Sequence, residues 1–255
     1  MPLPPADQYM DEMNRQFHFF ATWDPTEIYK LGYVGTLDKN RFSYVTTLED
    51  LGIPYTPVPS SPNASLSFRS GKSVTVSVKA SGSAALPQFN LNVGDAGIAV
   101  DYGNSQAVVF EAEGVNHRII AQMNKLDDAI LNAWKNKIWK DNWVVISDLM
   151  EASSATILIS KGSKSGIGLK AQATVPALSL ACANAQFNAV FSSNMDTQII
   201  CRQGLTPLFK ARGINKSWLG GASAGEVKGI RPMAATPTTV LSPVAEIAYQ
   251  PVGKM

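Results

Sequence analysis

The chain has 255 residues, 45% of them hydrophobic and only 16% charged, with a formal net charge of +2. That length and apolar content suit one folded core, and 22 basic against 20 acidic side chains leave a net charge too weak to argue for a nucleic-acid partner, which needs clustered Lys and Arg. No stretch reaches the ~18 apolar residues of a membrane-spanning helix. The opening Met1-Pro-Leu-Pro-Pro lacks the basic and then apolar order of a secretory leader. The expectation is therefore a soluble, cytoplasmic chain. Cys182 and Cys201 form no Cys-x-x-Cys and are expected as buried thiols, a disulfide being the alternative.

In chain order, residues 6–20 place Tyr9, Met10, Met13, Phe17 and Phe20 at helical spacing, which predicts a short amphipathic helix. Its apolar face either packs on a sheet or meets a membrane or partner. Strands are predicted at 28–37 and 41–44 around the turn Asp38-Lys39-Asn40. Thr47, Asp50 and Gly52 read as cap, capping-box partner and stop of one helical turn. The four prolines of 54–62 make a loop.

Residues 72–79 (K-S-V-T-V-S-V-K) set Val74, Val76 and Val78 on one face and Ser73, Thr75 and Ser77 on the other. Residues 88–93 alternate likewise, with Phe89, Leu91 and Val93 against Gln88, Asn90 and Asn92. Gly94 to Gly97 break the register, Ile98, Val100 and Tyr102 resume it, and 107–112 form another strand. In 117–140, Ile119, Met123, Leu126, Ile130, Trp134 and Ile138 make an unbroken helical stripe. Lys135, Lys137 and Lys140 close that helix, as a solvated basic end or a contact for acidic lipid head groups.

Residues 143–150 are almost continuously apolar, which predicts a central, buried strand. Residues 155–160 alternate, Ile157 and Ile159 opposing Thr156, Leu158 and Ser160; 161–168 (K-G-S-K-S-G-I-G) make a turn. Strands follow at 169–175 and 177–191, the second with Ala181, Ala183, Ala185, Phe187, Ala189 and Phe191 on one face. A hairpin is predicted from 197–202 and 205–210 over Gln203-Gly204, and from 215 a Gly/Pro/Ala-rich tail.

Catalytic chemistry is absent from the pattern. The histidines are His18 and His117 alone, and neither has an Asp or Cys at motif spacing. Gly-Ala-Ser-Ala-Gly at 221–225 matches a nucleophile elbow literally, without the strand before it or the helix after it that the motif requires. Asp127-Asp128 and the Glu111/Glu113 pair read as solvated faces. No metal spacing and no cofactor motif occur. The reading is a non-enzyme whose distinctive parts are the alternating regions 72–112 and 154–191. Such strands build either a sheet with one buried face or a closed barrel across a bilayer.

The order of parts resembles the pore-forming domain of the gasdermin family over residues 6–214. An amphipathic lead is followed by 42–53 (F-S-Y-V-T-T-L-E-D-L-G-I), long alternating strands, the helix 117–140, 142–160 (N-W-V-V-I-S-D-L-M-E-A-S-S-A-T-I-L-I-S), a second strand pair and 204–214 (G-L-T-P-L-F-K-A-R-G-I). The resemblance implies an α+β fold, a twisted, mainly antiparallel sheet with long amphipathic strands and flanking helices. It implies a pore-forming domain at 1–214 and a Gly/Pro/Ala-rich tail at 215–255, too short for the helical inhibitory domain of larger members but able to serve as the short, protease-removed inhibitory tail of bacterial ones. It further implies a defence or cell-death protein that inserts two β-hairpins per subunit into an oligomeric barrel, moving from cytoplasm to membrane on activation. Val74, Val76, Val78, Phe89, Leu91, Val93, Ile157, Ile159, Phe187 and Phe191 would then be membrane-inserting. Lys135, Lys137, Lys140, Lys161 and Lys164 would meet acidic head groups, and partners would be lipid, further copies of the chain and an activating protease. Bacterial members carry an acylated Cys near the N-terminus, and no Cys precedes Cys182 here. The alternative is a non-lytic relative that binds a protein or lipid.

Overall fold

The computed structural model describes residues 4–58, 64–70, 73–103, 106–172, 178–181, 184, 186–216 and 221–228. Helix α1 (Pro5–Phe17) begins on a proline at its first turn, where no amide donor is needed, and ends at His18 in the left-handed region (φ 59°). Strand β1 (Phe20–Ala21) follows. Strands β2 (Tyr33–Asp38) and β3 (Arg41–Thr47) form a hairpin whose turn residues Lys39 and Asn40 both have positive φ, as a two-residue hairpin of right-handed twist requires. Thr47 and Asp50 bond reciprocally, amide to hydroxyl at 3.1 Å and hydroxyl to carboxylate at 2.7 Å.

Strands β4 (Pro57–Val58), β5 (Ala64–Arg69), β6 (Val74–Lys79), β7 (Gly97–Tyr102) and β8 (Val108–Ile120) precede helix α2 (Met123–Lys135). After it come β9 (Trp143–Ser160), β10 (Ser165–Ala171), β11 (Phe187–Ser193), β12 (Met195–Lys216) and β13 (Ala222–Glu226). All pairings are antiparallel. A nine-stranded sheet has β9 at its centre, and a four-stranded sheet runs β11-β10-β7-β6. One edge of β9 pairs with β12; the other is shared by β2, at Trp143–Val145, and β8, from Asp148 to Ile159.

Three apolar layers hold the sheets. Tyr9, Met10 and Met13 of α1 cover Val108, Phe110, Ile157 and Ile159 on one face of the larger sheet. Leu126, Ile130 and Ala133 of α2 pack on Val34, Ile120 and Val145 at its far end. Ile98, Val100, Tyr102, Ile167 and Leu169 of the smaller sheet close on Val109 and Leu158, the opposite face of the larger one.

Several expectations are corrected by these contacts. The helix predicted over 117–140 shrinks to α2 because ladder pairing with β9 draws residues through Ile119 into β8. Its other end is a Schellman turn: Lys137 (φ 64°) donates to Trp134 O at 3.0 Å and Ile138 to Ala133 O at 2.9 Å. Ile138 is left 51% exposed, and Trp139 is buried instead. The hairpin over Gln203-Gly204 is absent; β12 runs straight through, with Cys201 (φ 46°) inside a bulge opposite β9 and Gly204 (φ 70°) keeping the ladder in register between Gln203 and Leu205. Strands 143–150 and 155–160 are one strand, β9. Residues 88–93 are not a strand: Pro87–Phe89 is a 3-10 turn and Asn90 (φ 55°) reverses the chain. Leu178 to Leu180, inside the predicted strand 177–191, are likewise non-strand, and β11 begins only at Phe187. Cys182, Ala183 and Ala185 lie outside the described residues, as does most of the tail. The boundary expected after Ile214 falls within β12, and β13 pairs with residues 212–216 of that strand.

Candidate functional site

Each strand of the smaller sheet continues, along the chain, a strand of the larger one: β5 into β6, β7 into β8, β9 into β10 and β11 into β12. The two sheets are thus one set of strands folded along a crease. Asn194 alone, at φ 55°, links β11 to β12. At the centre of the crease Tyr102 faces Ser165 in the smaller sheet, and Val108 faces Ile159 in the larger. The same number of residues separates these pairs on both strands, so the central ladder crosses without slipping. The outer ladders slip, by four residues between Ser160–Met195 and Gly166–Ser193 and by two between Arg69–Val109 and Val74–Tyr102. Both slips are even, and an even slip leaves side chains on their own face.

Counted in twos along extended strands, Ile98, Val100, Tyr102, Val108 and Phe110 share a face, and their partners Ile157, Ile159, Ile167 and Leu169 share it too. The crease divides this apolar face, placing half under α1 and half against the back of the larger sheet. The alternate face carries Asp101, Glu111, Thr156, Ser160 and Lys170, with Val109 and Leu158 as its buried apolar pair. Two contacts pin the crease. Ser160 O accepts from the Gln106 amide at 3.1 Å while Ser160 Oγ accepts from the Ala107 amide at 2.9 Å. The Ser70 hydroxyl accepts from the Val108 amide at 2.7 Å and donates to the Glu12 carboxylate of α1. Burial pushes the Glu12 carboxyl above the usual range, and the bonds from Ser70 and Gln8 oppose it only in part.

The residues singled out from sequence divide accordingly. Val74 and Val76 pack inward from β6, whereas Val78 is 60% exposed. Ile157 and Ile159 are fully buried beneath α1. Phe187 joins the inner layer, but a bulge at Gly168/Leu169 turns Phe191 to the outer face. Phe89 and Leu91 lie on that outer face as well, outside any strand, and Val93 is exposed. The lysines form no single patch. Lys135, at the end of α2, and Lys137 and Lys140 beyond it are exposed, with Lys140 5.1 Å over the Trp143 ring. Lys161 and Lys164 are exposed at the crease, separated from them by the 18 residues of β9.

An open groove of about 880 Å³ lies beside the middle of β9, lined by Tyr33, Tyr44, Tyr55, Arg118 and Glu151. The acidic pairs noted in the sequence are engaged separately. Asp127 takes a bidentate contact from Arg212, Glu111 pairs with Arg69, and Glu113 accepts from Ser179. His117 lies 3.4 Å from Asp148; burial opposes ionisation there, yet the contacts from His117 and Ser147 hold the Asp148 carboxyl below its usual range. Ser223 of the Gly-Ala-Ser-Ala-Gly stretch sits in β13 opposite Asn215. Among the described residues no three His, Cys, Asp or Glu side chains converge as metal ligands, and no helix is long and apolar enough to cross a membrane.

No protein-family model matches the chain, and no curated protein matches it.

Sequence reasoning missed the pins of the crease and one buried cation. Lys79, at the end of β6, is 3% exposed. Its ammonium donates to the carbonyls of Ala80 (3.3 Å), Ser83 (3.3 Å), Val93 (3.2 Å) and Asp95 (2.8 Å). Parity gave no signal for it: Lys79 shares a strand face with Thr75 and Ser77, the face assigned to water.

Proposed function

We propose that the chain is a pore-forming domain of the gasdermin type, which straightens at the crease and contributes two β-hairpins per subunit to an oligomeric barrel. The register across the crease is the observation that carries this reading. Straightening joins β5–β6 to β7–β8 as one hairpin and β9–β10 to β11–β12 as the other, with the central ladder already aligned. The six residues of β7 alone are too few for the ~9–11 a tilted membrane strand needs; β7 and β8 together exceed it. The joined strands turn an apolar face to lipid and a polar one to water, the alternation of a membrane barrel.

The free edges suit closure. Strands β6 and β11 flank the smaller sheet and run in opposite directions. The β11 of one copy therefore meets the β6 of the next antiparallel, a head-to-tail contact of the kind that generates rings. Lys135, Lys137, Lys140, Lys161 and Lys164 contact acidic head groups in this reading. Proteolysis within 215–245 is its trigger, after which a cytoplasmic protein reaches the membrane and kills or defends its cell by permeabilising it. Dye release from liposomes containing acidic lipid, with intact chain and with chain clipped in 215–245, tests it. Release by the clipped chain is expected; retention of dye with every form overturns it.

A second reading, a non-lytic domain of this fold that binds a partner, is favoured by the groove beside Tyr33 and Tyr44 and the 57% exposed Ile28 on its rim. Dye retention together with loss of partner binding in Tyr44→Ala would support it.

A further inference from the structure

Residues 80–96 link β6 to β7 and lie back across the outer face of the smaller sheet as a strap. Leu91 is fully buried and Phe89 9% exposed, both seated beside Ala99 and Phe191. Phe89 meets Phe191 edge-on with ring centroids 5.7 Å apart. The floor must be glycine at 168 and is tight at 166. A Cβ on Gly168 would stand 2.2 Å from Phe89 O, and one on Gly166 would stand 3.1 Å from the Phe89 ring. The strap is also fastened at both ends. Lys79 holds Ala80, Ser83, Val93 and Asp95 together through their carbonyls. The Asp95 carboxylate receives Lys170 at 2.6 Å and the Asn92 amide at 2.8 Å. Asn90 Nδ2 donates to Val190 O at 3.1 Å.

We infer that this strap is a latch on the first hairpin: while Lys79 grips its carbonyls and Phe89 and Leu91 occupy the glycine floor, β6 and β7 cannot lengthen. The inference rests on the pore reading and adds a control to it. The strap covers Ala99, Gly166 and Gly168 on the face that also carries the exposed Thr75, Asp101 and Lys170, which a barrel would turn to water. Its apolar seat has to empty before the rest of that face is wetted. Its residues are also the length that the six-residue strands β6 and β7 lack beyond the crease. Lys79 lies on the same wet face, so release moves its ammonium from carbonyls to solvent without crossing the sheet.

Two experiments decide the matter. In a Cys182→Ser, Cys201→Ser background, Asn90→Cys and Val190→Cys are joined by oxidation or a short bis-maleimide. The joined, clipped protein is expected to release less than about a tenth of the dye released by its uncoupled control, and reduction of the disulfide is expected to restore release. Equal release by joined and uncoupled protein overturns the latch while leaving the pore intact. Retention by every form, the unsubstituted chain included, overturns the pore reading and the latch with it. Separately, amide hydrogen exchange in the soluble protein reads the grip of Lys79 without any membrane. Lys79→Met is expected to speed exchange at Gly82, Leu86 and Leu91 at least severalfold while Val100 is unchanged; unaltered exchange at those three positions overturns the role of Lys79.

Discussion

Ser160 holds Ala107 twice, its amide donating to the Ala107 carbonyl at 3.0 Å and its hydroxyl oxygen accepting from the Ala107 amide at 2.9 Å. A regular ladder would use the Ser160 carbonyl for the second bond, but that carbonyl is engaged by Gln106. The side chain has replaced the backbone, and the strand can bend there with its buried donor satisfied. Ser160→Ala leaves the Ala107 amide without that acceptor, a loss of about 1–3 kcal/mol. The expected outcome is a lower urea midpoint together with faster dye release, because the folded-over form alone uses the bond. Slower release from a destabilised variant would contradict the role assigned to the crease.

Val78 offers a cleaner separation of fold from function than Val76. Both lie on the apolar face of β6, but Val76 packs inward and Val78 is 60% exposed. Val78→Arg is expected to change stability by no more than about 0.5 kcal/mol. On the lipid face of a barrel the same charge costs up to ~2–4 kcal/mol per copy, so release should fall by at least about tenfold. A normal melting curve beside unchanged release would remove Val78 from the lipid face.

Glu12 gives a pH dependence with a definite sign. Its folded-state carboxyl is raised by burial above its ordinary value of 4.5, so the folded chain holds a proton that the unfolded chain has lost. Stability from this group therefore falls as pH rises through that window and is regained on acidification. Glu12→Gln keeps an acceptor for Ser70 and removes the penalty. Its Tm at pH 7 should exceed the wild-type value by roughly 2–4 °C, with the gap closing below about pH 4.5. A gap that widened on acidification would reverse the assignment.

Asp127 and Arg212 fasten α2 to β12 through a bidentate contact, with side chains only 18% and 16% exposed. Asp127→Ala strands the guanidinium and is expected to cost about 1–3 kcal/mol, read as a lower urea midpoint with an unchanged slope. A double-mutant cycle with Arg212→Met should recover part of the loss.

The hairpin β2–β3, helix α1 and the buried middle strand were legible in the sequence because each rests on local chemistry. A two-residue turn of Lys39-Asn40, a helical stripe through Tyr9 and Met13, and an apolar run from Trp143 are all read within a few residues. The errors came where distant partners overrule local pattern. Gly204 looks like a turn until β9 is beside it, and Phe89 alternates with Leu91 until the glycines of β10 provide a seat. His117 through Ile119 carry helical spacing, yet their ladder bonds to Met150, Leu149 and Asp148 win. Lys79 was indistinguishable from any strand-end lysine, because the carbonyls around it come from up to sixteen residues away.

Closing the smaller sheet on the larger one buries Ile98, Val100, Tyr102, Val109, Leu158, Ile167 and Leu169 to 1% exposure or less. Opening that layer into water would cost on the order of 10 kcal/mol, which leaves roughly one molecule in ten million open at any moment. In the pore reading a hydrocarbon phase takes up Ile98, Val100, Ile167 and Leu169 without that cost, while Val109 and Leu158, on the alternate face, turn to the lumen. If the pore reading holds, the inner layer would act as a phase detector: its threshold would be set by the difference between two solvents, and it would trip at an apolar surface without a receptor to report that the surface has been reached.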